Sequence, residues 1–113
     1  GAVMYSKRFK FFNPAHEGVL RAVLRDLKKY SLSDISWGII TKTIIDIEKG
    51  RPHEYDPSEQ MFYVSNRLKS HFKSSHYKNI YKEFYSKKRF SFDYNEMVKK
   101  RKMVLAKKKI IDL

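Results

Sequence analysis

The chain has 113 residues, 42% of them hydrophobic and 15% aromatic, enough for one globular domain with its own core. It has no cysteine, which excludes disulfides, thiol catalysis and Cys-ligated zinc, and no run of about 18 apolar residues that could cross a membrane. Lys and Arg total 25 against 12 acids, a net +13, and the excess is uneven: 10 basic against 8 acidic residues up to Glu59, 15 against 4 from Gln60 onward.

Such asymmetry points to a polyanionic partner, nucleic acid before a membrane surface. The absence of a signal-like apolar core after the first charges fits an intracellular home. Gly1 to Val3 read as a remnant ahead of a native Met4.

Taken in order, residues 5–12 (YSKRFKFF) alternate loosely and suggest an extended arm or a short strand. Asn13 followed by Pro14 marks a helix start, because Asn caps free amides and Pro at the first helical position loses no hydrogen bond. Val19, Leu20, Val23, Leu24 and Leu27 form one apolar stripe, so a helix is expected over 14–30.

Ser31 and Ser33 offer a second cap and Gly50 a stop. Between them Trp37, Ile40, Ile44 and Ile47 fit a helix, whereas Ile39, Thr41, Thr43, Ile45 and Ile47 fit a strand. Caps and length favour the helix. The segment 51–57 (RPHEYDP) reads as a loop.

Ser58 is expected to cap a long amphipathic element over 58–89, in which Met61, Val64, Leu68 and Phe72 are continued by Tyr77, Ile80, Tyr81 and Phe84. A bend near Ser74 is as compatible with the pattern as one unbroken helix. After Arg89, FSFDYN alternates, and a last helix is expected over 93–109, with Tyr94, Met97, Val98, Val104 and Leu105 on one side.

Catalytic signatures are absent. His16, His53, His71 and His76 are dispersed and read as surface or polar-edge residues, and no metal or cofactor is expected. Asp46, Glu48 and Lys49 superficially suggest a metal-dependent nuclease, but their spacing suits a solvated helix end better. Most aromatics after Gln60 (Phe62, Tyr63, Phe72, Tyr77, Tyr81, Phe84, Tyr85) read as core, with one or two tyrosines left to stack on bases.

The cations are the stronger signal. Arg67, Lys69, Lys73, Lys78 and Lys82 interleave with the apolar stripe and suit phosphate or base contacts in a duplex groove. Lys87, Lys88 and Arg89, then Lys99, Lys100, Arg101 and Lys102, extend the footprint, and the clusters at 99–102 and 107–109 would also serve as a nuclear-localisation signal.

In architecture the Leu20, Leu24 and Leu27 stripe, Trp37 with Ile40, and Val64, Arg67 and Leu68 resemble the Myb, SANT and MADF group of DNA-binding domains. The regularly spaced tryptophans of Myb repeats are missing, so the likeness assigns no residue a role.

The sequence thus reads as a single basic all-α domain, a compact bundle of four to five helices with a helix-turn-helix-like three-helix core. Residues 1–12 form an arm, 14–89 the helical core and 90–113 a basic C-terminal helix. If 39–47 is a strand, a winged-helix-like α+β fold replaces it. The expected function is non-enzymatic nucleic-acid binding, duplex DNA ahead of RNA, in the nucleus rather than the cytoplasm. The competing expectation is a protein-interaction or dimerisation module using an aromatic helix surface.

Overall fold

A computed structural model describes residues 9–54 and 61–111. Over these residues the fold is mixed and rich in helix, with five helices, a three-stranded antiparallel sheet and a separate two-stranded ribbon. The pure all-α expectation is therefore corrected to α+β.

Strand β1 (Phe9–Phe11) leads into helix α1 (Pro14–Asp26) through Asn13, whose side chain accepts the Ala15 amide at 2.9 Å. Glu17 in the first turn of α1 is buried. Its carboxylate accepts the Phe11 amide at 3.0 Å and pairs with Arg21 at 3.0 Å, which ties the strand to the helix. Leu20, Val23 and Leu27 of the expected stripe are buried, with Ala22 beside them, while Val19 and Leu24 are partly buried against the same core. The helix ends at Asp26, before the expected Tyr30.

Helix α2 (Leu32–Ile40) starts under a Ser31 cap, whose hydroxyl accepts the Asp34 amide at 3.1 Å. It stops well before Gly50. Lys42 adopts φ 59°, the left-handed position normally held by glycine, and the Lys42 and Thr43 amides reach back to Ile39 and Gly38 carbonyls at 3.2 and 2.9 Å. This pair of bonds closes the helix as a Schellman motif. The chain then turns into β2 (Ile44–Asp46), so the strand spacing of 39–47 wins over the second half of the expected helix.

Gly50, with φ 66°, serves the turn between β2 and β3 (Arg51–Pro52). Strand β2 lies at the centre of the sheet, with β3 on one side and β5 (Phe90–Phe92) on the other. Ile44 and Asp46 face inward, opposite Phe92 and Phe90. Gly38 lets α2 lie on this sheet, because a Cβ there would come within 2.8 Å of Ile44 and Phe92.

Between β3 and α3 the chain forms β4 (Met61–Tyr63), which pairs antiparallel with β1 in the register Phe9–Tyr63, Lys10–Phe62, Phe11–Met61. A single helix beginning at Ser58 is thus corrected from residue 61 on; the Ser58 cap itself lies outside the described residues. Strands β2, β3 and β4 separate α2 from the next helix, so the helix-turn-helix-like three-helix core does not form.

Helix α3 (Lys69–Lys73) and helix α4 (Ser75–Lys87) meet at Ser74. Its extended backbone (φ −62°, ψ 149°) ends α3, and its hydroxyl accepts the Tyr77 amide at 3.1 Å to start α4. Helix α4 packs along α1, closest at Gly18, where a Cβ would stand 2.6 Å from the Tyr81 carbonyl oxygen. Helix α5 (Tyr94–Ile111) buries Met97 and packs on α2, while Met103, Val104 and Leu105 further along are exposed.

Candidate nucleic-acid interface

The site is built at the elbow between α3 and α4. Because Ser74 redirects the chain, Lys69 and Lys73 on the short helix and Lys78 and Lys82 on the long one are all presented to solvent, with Arg67 just ahead of them. Among the described residues none of these five has a carboxylate within ion-pair distance. The cluster is tight enough to be felt by its members: the Lys69 charge foremost, with Lys78 contributing, holds the Lys73 ammonium below the ordinary lysine value. A polyanion relieves such repulsion and releases its own counterions in doing so.

Several of the domain's carboxylates are committed to other partners. Glu17 holds Arg21, Asp34 lies 3.4 Å from Arg101, and Glu48 lies 4.0 Å from Lys87. Asp26 binds Arg25 at 2.8 Å and accepts the Phe90 amide at 2.9 Å. Burial alone would push the Asp26 carboxyl up, but the Arg25 and Phe90 hydrogen bonds outweigh it and hold it below the usual carboxylate value. Arg25 also donates to the carbonyls of Tyr85 and Lys88, closing the C-terminus of α4.

The run at 87–89 divides. Lys87 and Arg89 are exposed, and the Arg89 guanidinium donates to the Ser86 and Lys88 carbonyls. Lys88 is turned inward, 5% exposed, with its ammonium 3.1 Å from Asp46. A phosphate role for Lys88 is therefore withdrawn, since its charge is already matched inside the fold. Asp46 is correspondingly a buried strand residue and not the solvated helix end expected.

On α5, Lys99 and Lys102 are exposed, while Lys100 donates to the Thr41 carbonyl at 3.4 Å and Arg101 leans on Asp34. These cations belong to the body formed with α2, whereas the elbow belongs to the body formed with α1. The two basic regions are carried by different packing units.

Three of the tyrosines after Gln60 are structural. Tyr77 is buried and donates to the Phe11 carbonyl at 2.7 Å, and burial pushes its phenol well above the usual value. Tyr81 and Tyr85 stack on each other with centroids 5.8 Å apart, and Arg25 sits over the Tyr85 ring at 4.5 Å. Among the described residues the exposed Phe and Tyr rings are Phe12, Phe62 and Tyr94. The core expectation for Phe62 is corrected, because pairing of β4 with β1 turns its ring to the outer face, and Phe12, which the alternation of Lys10 and Phe12 with Phe9 and Phe11 could have signalled, is exposed beside it.

Among the described residues no three metal-ligating side chains come together. Within the described residues, no helix is long and apolar enough to cross a membrane. Comparison of the chain with family models, curated proteins and solved structures finds no match.

Proposed function

We propose that this domain binds nucleic acid without catalysing a reaction on it, and that the α3–α4 elbow makes the phosphate contacts. The observation that carries this reading is the cluster of Lys69, Lys73 and Lys78, exposed, mutually repelling and without carboxylate partners among the described residues. Lys82 and Arg67 lengthen the cluster, and Lys99 and Lys102 supply a second, separate one that suits nuclear localisation. A long basic helix seated in a duplex groove is not needed by this reading, since α3 has only five residues and the chain bends at Ser74. The elbow touches backbone and leaves the bases to other residues.

The test is fluorescence anisotropy of the protein against labelled duplex DNA and single-stranded RNA of equal length, over a series of salt concentrations. Binding that persists at physiological salt with a steep linear dependence of log affinity on log salt is expected. Loss of binding to both polymers near physiological salt would reduce the charge to a generic attraction and sink the proposal.

One observation favours a second reading, a protein-interaction module. Ile40, Met103 and Val104 are exposed around a shallow groove between α2 and α5. The aromatic stripe of α4 is not the surface in question, because Tyr77 is buried and Gly18 brings α1 against Tyr81 and Phe84. Solution mass at high salt, where lysine repulsion is screened, tests it: a persistent dimer supports this reading and a monomer at all concentrations removes self-association.

A further inference from the structure

The β1–β4 ribbon has two faces of opposite character. Phe11 of β1 is buried toward α1. Directly opposed residues of an antiparallel pair share a face, and residues two apart along a strand share one too. The register Lys10–Phe62 therefore puts these two side chains together on the outer face, and Phe12, two residues on from Lys10, joins them. Phe12 and Phe62 keep 46% and 38% of their surface exposed, with their rings 5.7 Å apart at 61°.

Phe12 is also held in place. His71 of α3 stacks on one ring face, centroids 3.8 Å apart at 6°, and its Nε2 lies 2.8 Å from the Phe12 carbonyl oxygen. One face of Phe12 is thus covered, and its exposed area lies away from His71, beside Phe62. Lys69 and Lys73 stand two residues to either side of His71, and residues two apart on a helix point to opposite sides. Both therefore lie on the far side of α3 from the ring stack, and the cation that shares the ribbon face with the rings is Lys10.

Open aromatic rings with a lysine on the same face are what an unpaired polynucleotide needs: π-faces for its bases and positive charge for its phosphates. A duplex cannot use the rings, because its bases are stacked on one another. We propose that the outer face of the β1–β4 ribbon is a stacking platform for single-stranded nucleic acid, with Phe12 and Phe62 taking bases, Lys10 taking a phosphate beside them, and the strand running on past α3 to the elbow cations. This rests on the nucleic-acid reading of the elbow and names its substrate class. The platform's described residues stack on bases and carry no sugar-reading group, so DNA and RNA strands bind alike.

The experiment compares wild type with Phe12→Leu, Phe62→Leu and Phe62→Trp for binding to labelled oligothymidylate, oligouridylate and a duplex of equal length, at one fixed salt concentration. Leucine keeps an apolar side chain but removes the ring, and unchanged circular dichroism and melting temperature establish that the fold is intact. Each Leu variant should lose about tenfold in affinity for both single strands and nothing for the duplex, while Phe62→Trp binds single strands as tightly as wild type or more so. Leu variants that bind single strands as wild type does, or that lose single strands and duplex equally, overturn the platform but leave the elbow reading intact. Wild type that binds none of the three polymers overturns the elbow reading itself.

Discussion

Lys88, at the end of α4, places its ammonium 3.1 Å from the Asp46 carboxylate in the central strand of the sheet, and both side chains are almost wholly buried. The pair joins the α1–α4 layer to the sheet, with Glu48 at 3.6 Å on its outer side. Removing one partner leaves the other charge buried and unmatched, which costs about 3–5 kcal/mol, whereas replacing both by apolar side chains of similar volume is close to neutral. Lys88→Met should therefore destabilise strongly in urea unfolding, and Asp46→Leu combined with Lys88→Met should recover most of the loss. A double variant as unstable as the single one would show that the sheet needs this pair for reasons other than charge balance.

The same region sets the response to acid. Burial is the main reason that the His53 imidazole, with the Phe90 ring edge-on at 5.2 Å, titrates below its ordinary value. A lowered histidine is protonated first in the unfolded chain, so stability should begin to fall as the pH drops below about 6.5. Burial alone would push the Asp46 carboxyl up, but the Lys88 side chain and the Lys49 amide outweigh it and hold it below the usual value. Its contribution is present above about pH 3.9, the unfolded value, and is lost as the pH falls through its lower folded value. Asp26 behaves likewise. Stability measured against pH should thus decline in two stages, and His53→Gln should abolish the first while sparing the second.

Gly18 fixes how closely α1 and α4 approach. A methyl group there would meet the Tyr81 carbonyl oxygen at 2.6 Å and Phe84 Cβ at 2.9 Å, and neither can move without shifting a helix. Gly18→Ala should cost about 1–3 kcal/mol by overpacking, despite the better helix propensity of alanine. A stabilised Gly18→Ala variant would mean that the two helices slide apart freely.

Lys42 offers the reverse change. A side chain in the left-handed region costs about 1–2 kcal/mol of steric strain, and Lys42 is exposed with φ 59°. Lys42→Gly should relieve it and raise the melting temperature, offset in part by the greater freedom of glycine when unfolded. A lower melting temperature would show that the Lys42 side chain makes a contact worth more than the strain.

These residues also mark where the sequence stops being legible. The start of α1 is readable because Asn13 and Pro14 announce it locally, and α5 is readable from Met97 and Val98. The end of α2 is not, because a lysine occupies the position where glycine signals a stop, and because the β-branched run after Gly38 satisfies both periods. Strand β4 is hidden for a different reason: Met61, Val64, Leu68 and Phe72 recur at helical spacing, but Met61–Tyr63 is extended by pairing with β1, which no local pattern encodes. The exposed cations at 67–82 follow from the amphipathic pattern. Lys88 does not, since its inward turn depends on Asp46, 42 residues away.

The elbow is where charge should control binding without controlling the fold. Lys69, Lys73 and Lys78 are exposed and repel one another, so neutralising them removes no ion pair among the described residues and relieves repulsion. Changing Lys73 and Lys78 together to Gln should leave the melting temperature equal or higher. Each lost phosphate contact should lower the magnitude of the salt slope by about 0.9 on duplex DNA and about 0.7 on a single strand. Lys99→Gln with Lys102→Gln measures the α5 cluster in the same way, and a smaller change there would rank the elbow first. Lys88→Gln provides the contrast: it should destabilise the protein while leaving the salt slope of the folded fraction unchanged, because its ammonium faces Asp46 and not the solvent. An unchanged slope in the Lys73 and Lys78 double variant, with a reduced one in the Lys99 and Lys102 variant, would move the phosphate contacts from the elbow to α5.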